Sequence, residues 1–257
     1  ESEFSNKDTV IKSIPKKKWD STLKNIKNFE YKEGFFESKE MYDLLVSFYE
    51  FGFVVIKNVP TENNYIVKFA NSIGSVRRTN FGEHFNVKSK SNPNDLAYTT
   101  LHLSPHTDNP YRNPVPCIQL LHCIENEVSG GYSTLVDGYT VTENLKKNDP
   151  DAYKILTEVK VRFKFTDKNV MLEDWAELIQ LDEEKNFKQV RFSPRLDYVP
   201  ILEKKKLDQY YKARKKLSDL YNSEKNRIEF KLTPKDLIMM DNHRVLHGRT
   251  KFNPDEG

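Results

Sequence analysis

The sequence predicts a mainly β domain with flanking helices, and three observations point to it. Between Leu96 and Val136 the short β-rich pieces LAYTTLHL, CIQLLHCI and YSTLV are separated by proline and glycine punctuation. The same texture returns after Val159 as KVRFKF, ELIQL and KQVRFS, and near the end of the chain as RIEFKL and LIMMD. Amphipathic helical patterns precede and separate these runs. The 257 residues suffice for one large domain or two small ones. No internal repeat or low-complexity linker divides them, so one domain is the simplest arrangement.

Each element has a local reason. Ser38 is placed as an N-cap, Met41, Leu44, Leu45 and Phe48 follow at helical spacing, and Gly52 closes the pattern. FVVIKNV, residues 53–59, is a short strand ended by Pro60. A second helix is expected from Thr61, with Ile66, Phe69, Ala70 and Ile73 on one face and Gly74 as its stop. Residues 142–159 have helical features that Pro150 interrupts. Leu207, Tyr210, Tyr211, Leu217, Leu220 and Tyr221 mark a long amphipathic helix between Glu203 and Asn222. A turn at Thr233–Asp236 then separates the last two β-rich runs.

Composition narrows the function classes. Hydrophobic residues make up 37% and charged residues 31%, which fits a globular chain without the ~20 consecutive apolar residues of a membrane span. No basic segment followed by an apolar one opens it, so no secretion signal is read. The net charge is only +3, and the lysine runs at 16–18 and 204–206 lack interleaved aromatics, so a nucleic-acid partner is not expected. Two cysteines, Cys117 and Cys123, make neither a disulfide framework nor a zinc cluster at short spacing. They fit a reducing, cytoplasmic setting.

The chemistry centres on LHLSPHTDNPYR, residues 101–112. His106 and Asp108 are two apart, and in an extended segment residues i and i+2 face the same way. Imidazole plus carboxylate suits iron, manganese or zinc, and two histidines with one carboxylate on one face leave the opposite face open for co-substrates. The third ligand is sought in DNHRVLHGR, residues 241–249. There His247 is followed by Gly248, which lets the backbone approach closely, and by Arg249. His243 lies four residues before His247, and spacing does not choose between them. His84 and His102 read as surface residues and His122, in LLHC, as a core histidine.

Three stretches, AYTTLHLSPHTDNPY, IQLLHCIENEVSGGYSTLVDGYTV and DNHRVLHGR, resemble the γ-butyrobetaine hydroxylase and trimethyllysine hydroxylase branch of the taurine-dioxygenase-like family, in the family's order. The resemblance runs from about Trp19 to the end. It implies a double-stranded β-helix, or jelly roll, with His106, Asp108 and His247 as ligands of Fe(II). It also implies 2-oxoglutarate and dioxygen as co-substrates, with oxidative decarboxylation to succinate and CO2 coupled to hydroxylation of a C–H bond. Ser133 falls where a hydroxyl contacts the 2-oxoglutarate carboxylate. The anchoring arginine is implied just beyond the last histidine motif. Arg249 is the cation available there, while the usual position falls past Gly257. The expected layout is an N-terminal segment over 1–18, a tag or linker, and a dioxygenase domain over 19–257 lacking its C-terminal tail. The zinc domain that precedes the relatives' catalytic part has no Cys or His to form it before Trp19.

The same branch recognises trimethylammonium groups, which donate no hydrogen bonds and are held by aromatic faces. Phe81, Phe85 and Tyr98 fall on the cage positions, the two phenylalanines standing where relatives carry Tyr and Trp. Asp95 replaces an Asn that helps to bind the substrate carboxylate, and Ser193-Pro194 replaces an Asn pair. Arg195 is then the group to pair with Asp95 or to hold an anionic end of the substrate. The implied substrate is a betaine-like small molecule such as γ-butyrobetaine or a relative. The alternatives are the same chemistry on a trimethylammonium-phosphonate, aminophosphonate or sulfonate, and a metal-binding module without turnover. No membrane partner is expected, and a homodimer is left open.

Overall fold

The computed structural model describes residues 14–87 and 99–253. Two four-stranded sheets form its centre. The first has the order β1 (Asn28–Glu30), β2 (Phe53–Lys57), β12 (Leu237–Asp241), β4 (Ile118–His122). The second has the order β11 (Arg227–Phe230), β5 (Ser133–Asp137), β13 (Val245–Arg249), β3 (Leu103–His106). Between the sheets pack Phe53, Ile238, Met240 and Leu121 from one and Leu135, Val245 and Ile228 from the other, joined by Trp19. Two facing sheets with sequence-distant strands as neighbours are a double-stranded β-helix, the jelly roll that the sequence led us to expect.

Alternation along the strands decides what faces inward. On β12, Ile238 and Met240 enter the space between the sheets, while Leu237 and Met239 pack outward under the helices. Helices α1 (Lys39–Phe51) and α2 (Tyr65–Ile73) cover that outer face. Ser38 caps α1 by accepting from Met41 N, and Gly52 ends it in the left-handed region at φ 78°. A Cβ at Gly52 would also lie 2.9 Å from the Arg244 side chain. Against expectation Leu45 is 42% exposed, because the buried stripe of α1 runs through Met41, Leu44 and Ser47. Likewise α2 starts at Tyr65 and not at Thr61, because Asn64 sits in the left-handed region at φ 62° and breaks the helical run before it.

The outer face of the second sheet is covered by α3 (Gly138–Asn148), α4 (Pro150–Glu158) and α5 (Lys204–Asn222). Pro150 does not break one helix but starts a second, with Asp149 as its N-cap accepting from Ala152 N. The long hairpin of β6 (Lys160–Asp167) and β7 (Val170–Glu177) adds its own layer, with β10 (Asp197–Tyr198) on its edge. The sequence reading misses β7. Its solvent side carries Met171, Glu173 and Trp175, so its apolar residues do not alternate with its buried ones, and pairing to β6 makes it a strand. The short pair β8 (Ile179–Leu181) and β9 (Phe187–Val190) completes the β content. Of LAYTTLHL only Leu103 is in a strand among the described residues, and residues 96–98 lie outside them.

A buried ion pair ties these layers together. Arg244, just before β13, bonds both oxygens of Asp137 at 2.9 and 3.0 Å, and both side chains are fully buried. The same guanidinium donates to the carbonyls of Glu50 and Lys17. Lys17 N in turn donates to Glu50 O, so packing onto the domain begins before Trp19. Both cysteines are free, and among the described residues no helix is long and apolar enough to cross a membrane.

Candidate metal centre

β3 and β13 are antiparallel neighbours, and His247 is directly opposite His106 in their register. That pairing brings two residues 141 positions apart to one point. Close approach of the strands requires Gly248, since a Cβ there would lie 2.4 Å from Leu103 O and 2.8 Å from Thr134 Oγ1. Asp108 follows β3 by two residues and reaches the same point. His106 Nε2 is 3.4 Å from its Oδ1 and His247 Nε2 3.6 Å from its Oδ2. Ligand atoms ~2.1 Å from an ion and at right angles lie about 3 Å apart, so these separations fit one ion after small adjustments. The donor set of two imidazoles and a carboxylate is the facial triad, and the three ligand atoms lie within 4.8 Å of one another.

The surroundings fix each ligand. His106 Nδ1 lies 2.9 Å from Ser104 O, a contact that leaves the Nε2 lone pair facing Asp108. Gln119 Nε2 donates to Asp108 Oδ2 at 2.6 Å from the inner face of β4. Asn242 clamps the backbone of Asp108 on both sides, accepting from its N at 2.7 Å and donating to its O at 3.0 Å. Asn109 then turns the chain away with a left-handed φ of 53° and accepts from Tyr111 Oη. Burial pushes the Asp108 carboxyl up, but the two imidazoles and the Gln119 amide outweigh it and hold it below the usual carboxylate range. Burial lowers the His247 pKa to about 4, so at neutral pH its ring is uncharged and has a lone pair to give. His247 Nδ1 is buried without a partner among the described residues.

A cleft of about 1450 Å3 opens beside the triad and is lined by Asp108, Gln119, Ser133 and Arg249. Ser133 and Arg249 are direct cross-strand partners on β5 and β13. They share the inward-facing alternation of Leu135 and Val245, so hydroxyl and guanidinium point to the same side as His247. The Arg249 guanidinium reaches the carbonyls of Thr99 and Leu101 and lies 4.8 Å over the Phe252 ring. Phe81 and Phe85 line the same cleft with ring centroids 5.7 Å apart, and Phe85 is 49% exposed. Phe81 also packs on Phe165, which stacks on Tyr111. Arg195 sits elsewhere, in a small depression with His102, Ser104 and His106. Asp95 and Tyr98 lie outside the described residues.

His243 is not brought to the triad. Its Nε2 lies 2.9 Å from Val115 O, and it clusters instead with Cys117 and Asp241. The alternative that spacing left open is therefore resolved by register, because His247 and not His243 faces His106. His84 and His102 are exposed, as expected, while His122 is only half-buried and not a fully enclosed core residue. Sequence reasoning missed Gln119 and Asn242, although both stand inside quoted motifs. Inward alternation from Leu121 would have placed Gln119 on the site side of β4.

Fold and site together define a class: a double-stranded β-helix protein with a two-histidine, one-carboxylate triad at the edge of a deep cleft. The chain belongs to the taurine catabolism dioxygenase TauD, TfdA family, whose model matches residues 22–257. It is 32% identical over 240 residues to the γ-butyrobetaine dioxygenase of Homo sapiens, covering 91% of this chain and 61% of the relative. It is 29% identical over 215 residues to the trimethyllysine dioxygenase of Meyerozyma guilliermondii, covering 82% and 54%. The chain thus spans little more than half the length of the curated relatives it matches. The solved structure of a putative α-ketoglutarate-dependent taurine dioxygenase from Burkholderia xenovorans superposes with a TM-score of 0.64 at 14% identity, covering 91% of this chain and 94% of that one. That similarity is one of fold.

Proposed function

We propose that this chain carries the catalytic centre of an Fe(II)- and 2-oxoglutarate-dependent dioxygenase that hydroxylates a C–H bond of a trimethylammonium small molecule. The observation that carries the reading is the convergence of His106, Asp108 and His247 beside a cleft that also presents Ser133 and Arg249. His106, Asp108 and His247 would hold the iron, which when bound supplies the oxidation that couples decarboxylation of 2-oxoglutarate to hydroxylation. Gln119 holds the Asp108 carboxylate and Asn242 its backbone, so the carboxylate stays aimed at the site. Ser133 and Arg249 offer a hydroxyl and a cation to the distal carboxylate of 2-oxoglutarate.

The substrate class rests on relatives at about 30% identity and on the aromatic wall of the cleft. Phe85 is 49% exposed and the half-buried Phe81 packs beside it at the cleft wall, which gives an aromatic face of the kind a quaternary ammonium group needs. Tyr98 belongs to the same proposal on sequence grounds alone. Arg195 beside His106 supports a second reading in which the substrate carries an anionic end, such as a carboxylate, sulfonate or phosphonate. Two unpaired cysteines support a cytoplasmic setting.

The test is succinate release by the full-length protein with Fe(II) and 2-oxoglutarate, screened over γ-butyrobetaine, trimethyllysine, trimethylammonium-phosphonates and taurine. Stimulation by the trimethylammonium compounds, lost in His106→Ala, is expected. Stimulation by taurine but by no quaternary ammonium compound would move the assignment to the anionic reading. Equal succinate release from His106→Ala would end it.

A further inference from the structure

Cys117, Asp241 and His243 form a second group of ligand-type side chains, with donor atoms within 4.8 Å of one another. We propose that they bind a divalent cation of the zinc class, at a site separate from the dioxygenase triad. Thiolate, imidazole and carboxylate are all zinc ligands, and a three-residue tripod leaves room for water as a fourth.

The backbone around the group is fixed, which distinguishes it from a chance surface cluster. Asp241 ends β12 opposite Ile118, the residue after Cys117. Asn242 N donates to Cys117 O at 2.7 Å, and Val190 N donates to His243 O at 2.9 Å. Asp241 Oδ1 accepts from His243 N at 2.9 Å and lies 3.6 Å from Cys117 Sγ. The decisive detail is the His243 ring. Its Nε2 faces the Val115 carbonyl, an acceptor, so that nitrogen carries the proton and Nδ1 is left with the lone pair. A backbone carbonyl fixing the tautomer from behind is the usual support of a metal-bound histidine. Cys117 is exposed, so an ion has access from solvent.

Binding converts the Cys117 thiol to thiolate and releases its proton to solvent. Without a cation the thiol lies 3.6 Å from the Asp241 carboxylate, which disfavours a thiolate beside it, so the metal must drive the ionisation. The Lys16 ammonium interacts with both Asp241 and Cys117 and would move away or lose its proton as the ion enters. The site also has a structural consequence. Asn242, between two of its ligands, is the residue that clamps Asp108, so an ion here would stiffen the support of the dioxygenase triad.

Cobalt(II) distinguishes the two centres, because the triad contains no sulfur. Metal-free full chain titrated with Co2+ is expected to develop a sulfur-to-cobalt charge-transfer band, which Zn2+ then bleaches. The band should persist in His106→Ala and vanish in Cys117→Ser, with far-ultraviolet circular dichroism unchanged in both. His243→Gln, whose amide can still donate to Val115 O, should weaken Co2+ at this site by roughly tenfold or more. No band in the unaltered protein, a band surviving Cys117→Ser, or unchanged affinity in His243→Gln would each overturn the proposal without touching the triad.

Discussion

The placement of Asp108, the carboxylate of the proposed triad, is set by residues outside that triad. Its backbone is held by Asn242, which follows β12, and one carboxylate oxygen by Gln119 on β4, the strand paired with β12 in the first sheet. Asn242→Ala removes the acceptor for Asp108 N and the donor for its carbonyl, so metal affinity should fall by about 10–100-fold while His106 and His247 stay in place. Isothermal titration with Fe(II) or Mn(II) under nitrogen checks this, and unchanged affinity would show that the clamp is dispensable. His247 gives a pH dependence of definite sign. Its pKa is about 4 in the folded protein against ~6.5 when unfolded, so between those values the unfolded chain binds more protons. Stability of the metal-free protein should therefore rise with pH across that window, a trend that His247→Gln flattens. Urea midpoints measured from pH 4 to 7 decide it. Asp108, held below the usual carboxylate range, acts in the same direction at lower pH.

At the scale of the element, the site is a property of one strand pair. His106 and His247 meet because β3 and β13 run side by side, and they run that close because residue 248 has no side chain. Gly248→Ala drives a methyl group against Leu103 O and Thr134 Oγ1. It should cost about 1–3 kcal/mol in stability and splay the two imidazoles, so that metal binding falls further than stability does. Thermal unfolding and metal titration on one preparation separate the two effects. Much of this pair was legible in sequence: DNHRVLHGR showed a histidine and an arginine two apart with a glycine between them, and HTD showed the other two candidate ligands. The choice between His243 and His247 was not, since a four-residue spacing puts both on one face of an extended chain. It required the turn between β12 and β13, where His243 O accepts from β9 and its ring faces Val115.

For the whole molecule, the Arg244–Asp137 pair joins the second sheet to α1, which covers the first, and to the segment leading to Trp19. Arg244→Ala leaves a buried carboxylate without its partner, and a loss of about 3–5 kcal/mol is expected by urea denaturation. Arg244→Met together with Asp137→Leu should recover part of that loss, because the penalty comes from the orphaned charge.

The sequence by itself determined the β-rich class, most helices, the His106 and Asp108 pair and the family resemblance. These depend on local periodicity, capping and short motifs, which a linear chain displays directly. Tertiary structure decided what linear patterns do not contain. Pairing with β6 made β7 a strand despite its mixed surface. The packing of α1 left Leu45 in solvent. The folding of residues 117 and 241–243 together created a second cluster whose members are unremarkable in isolation. Each of these outcomes arises from contact between segments far apart in the chain, where register and burial, rather than local preference, determine which side chains meet.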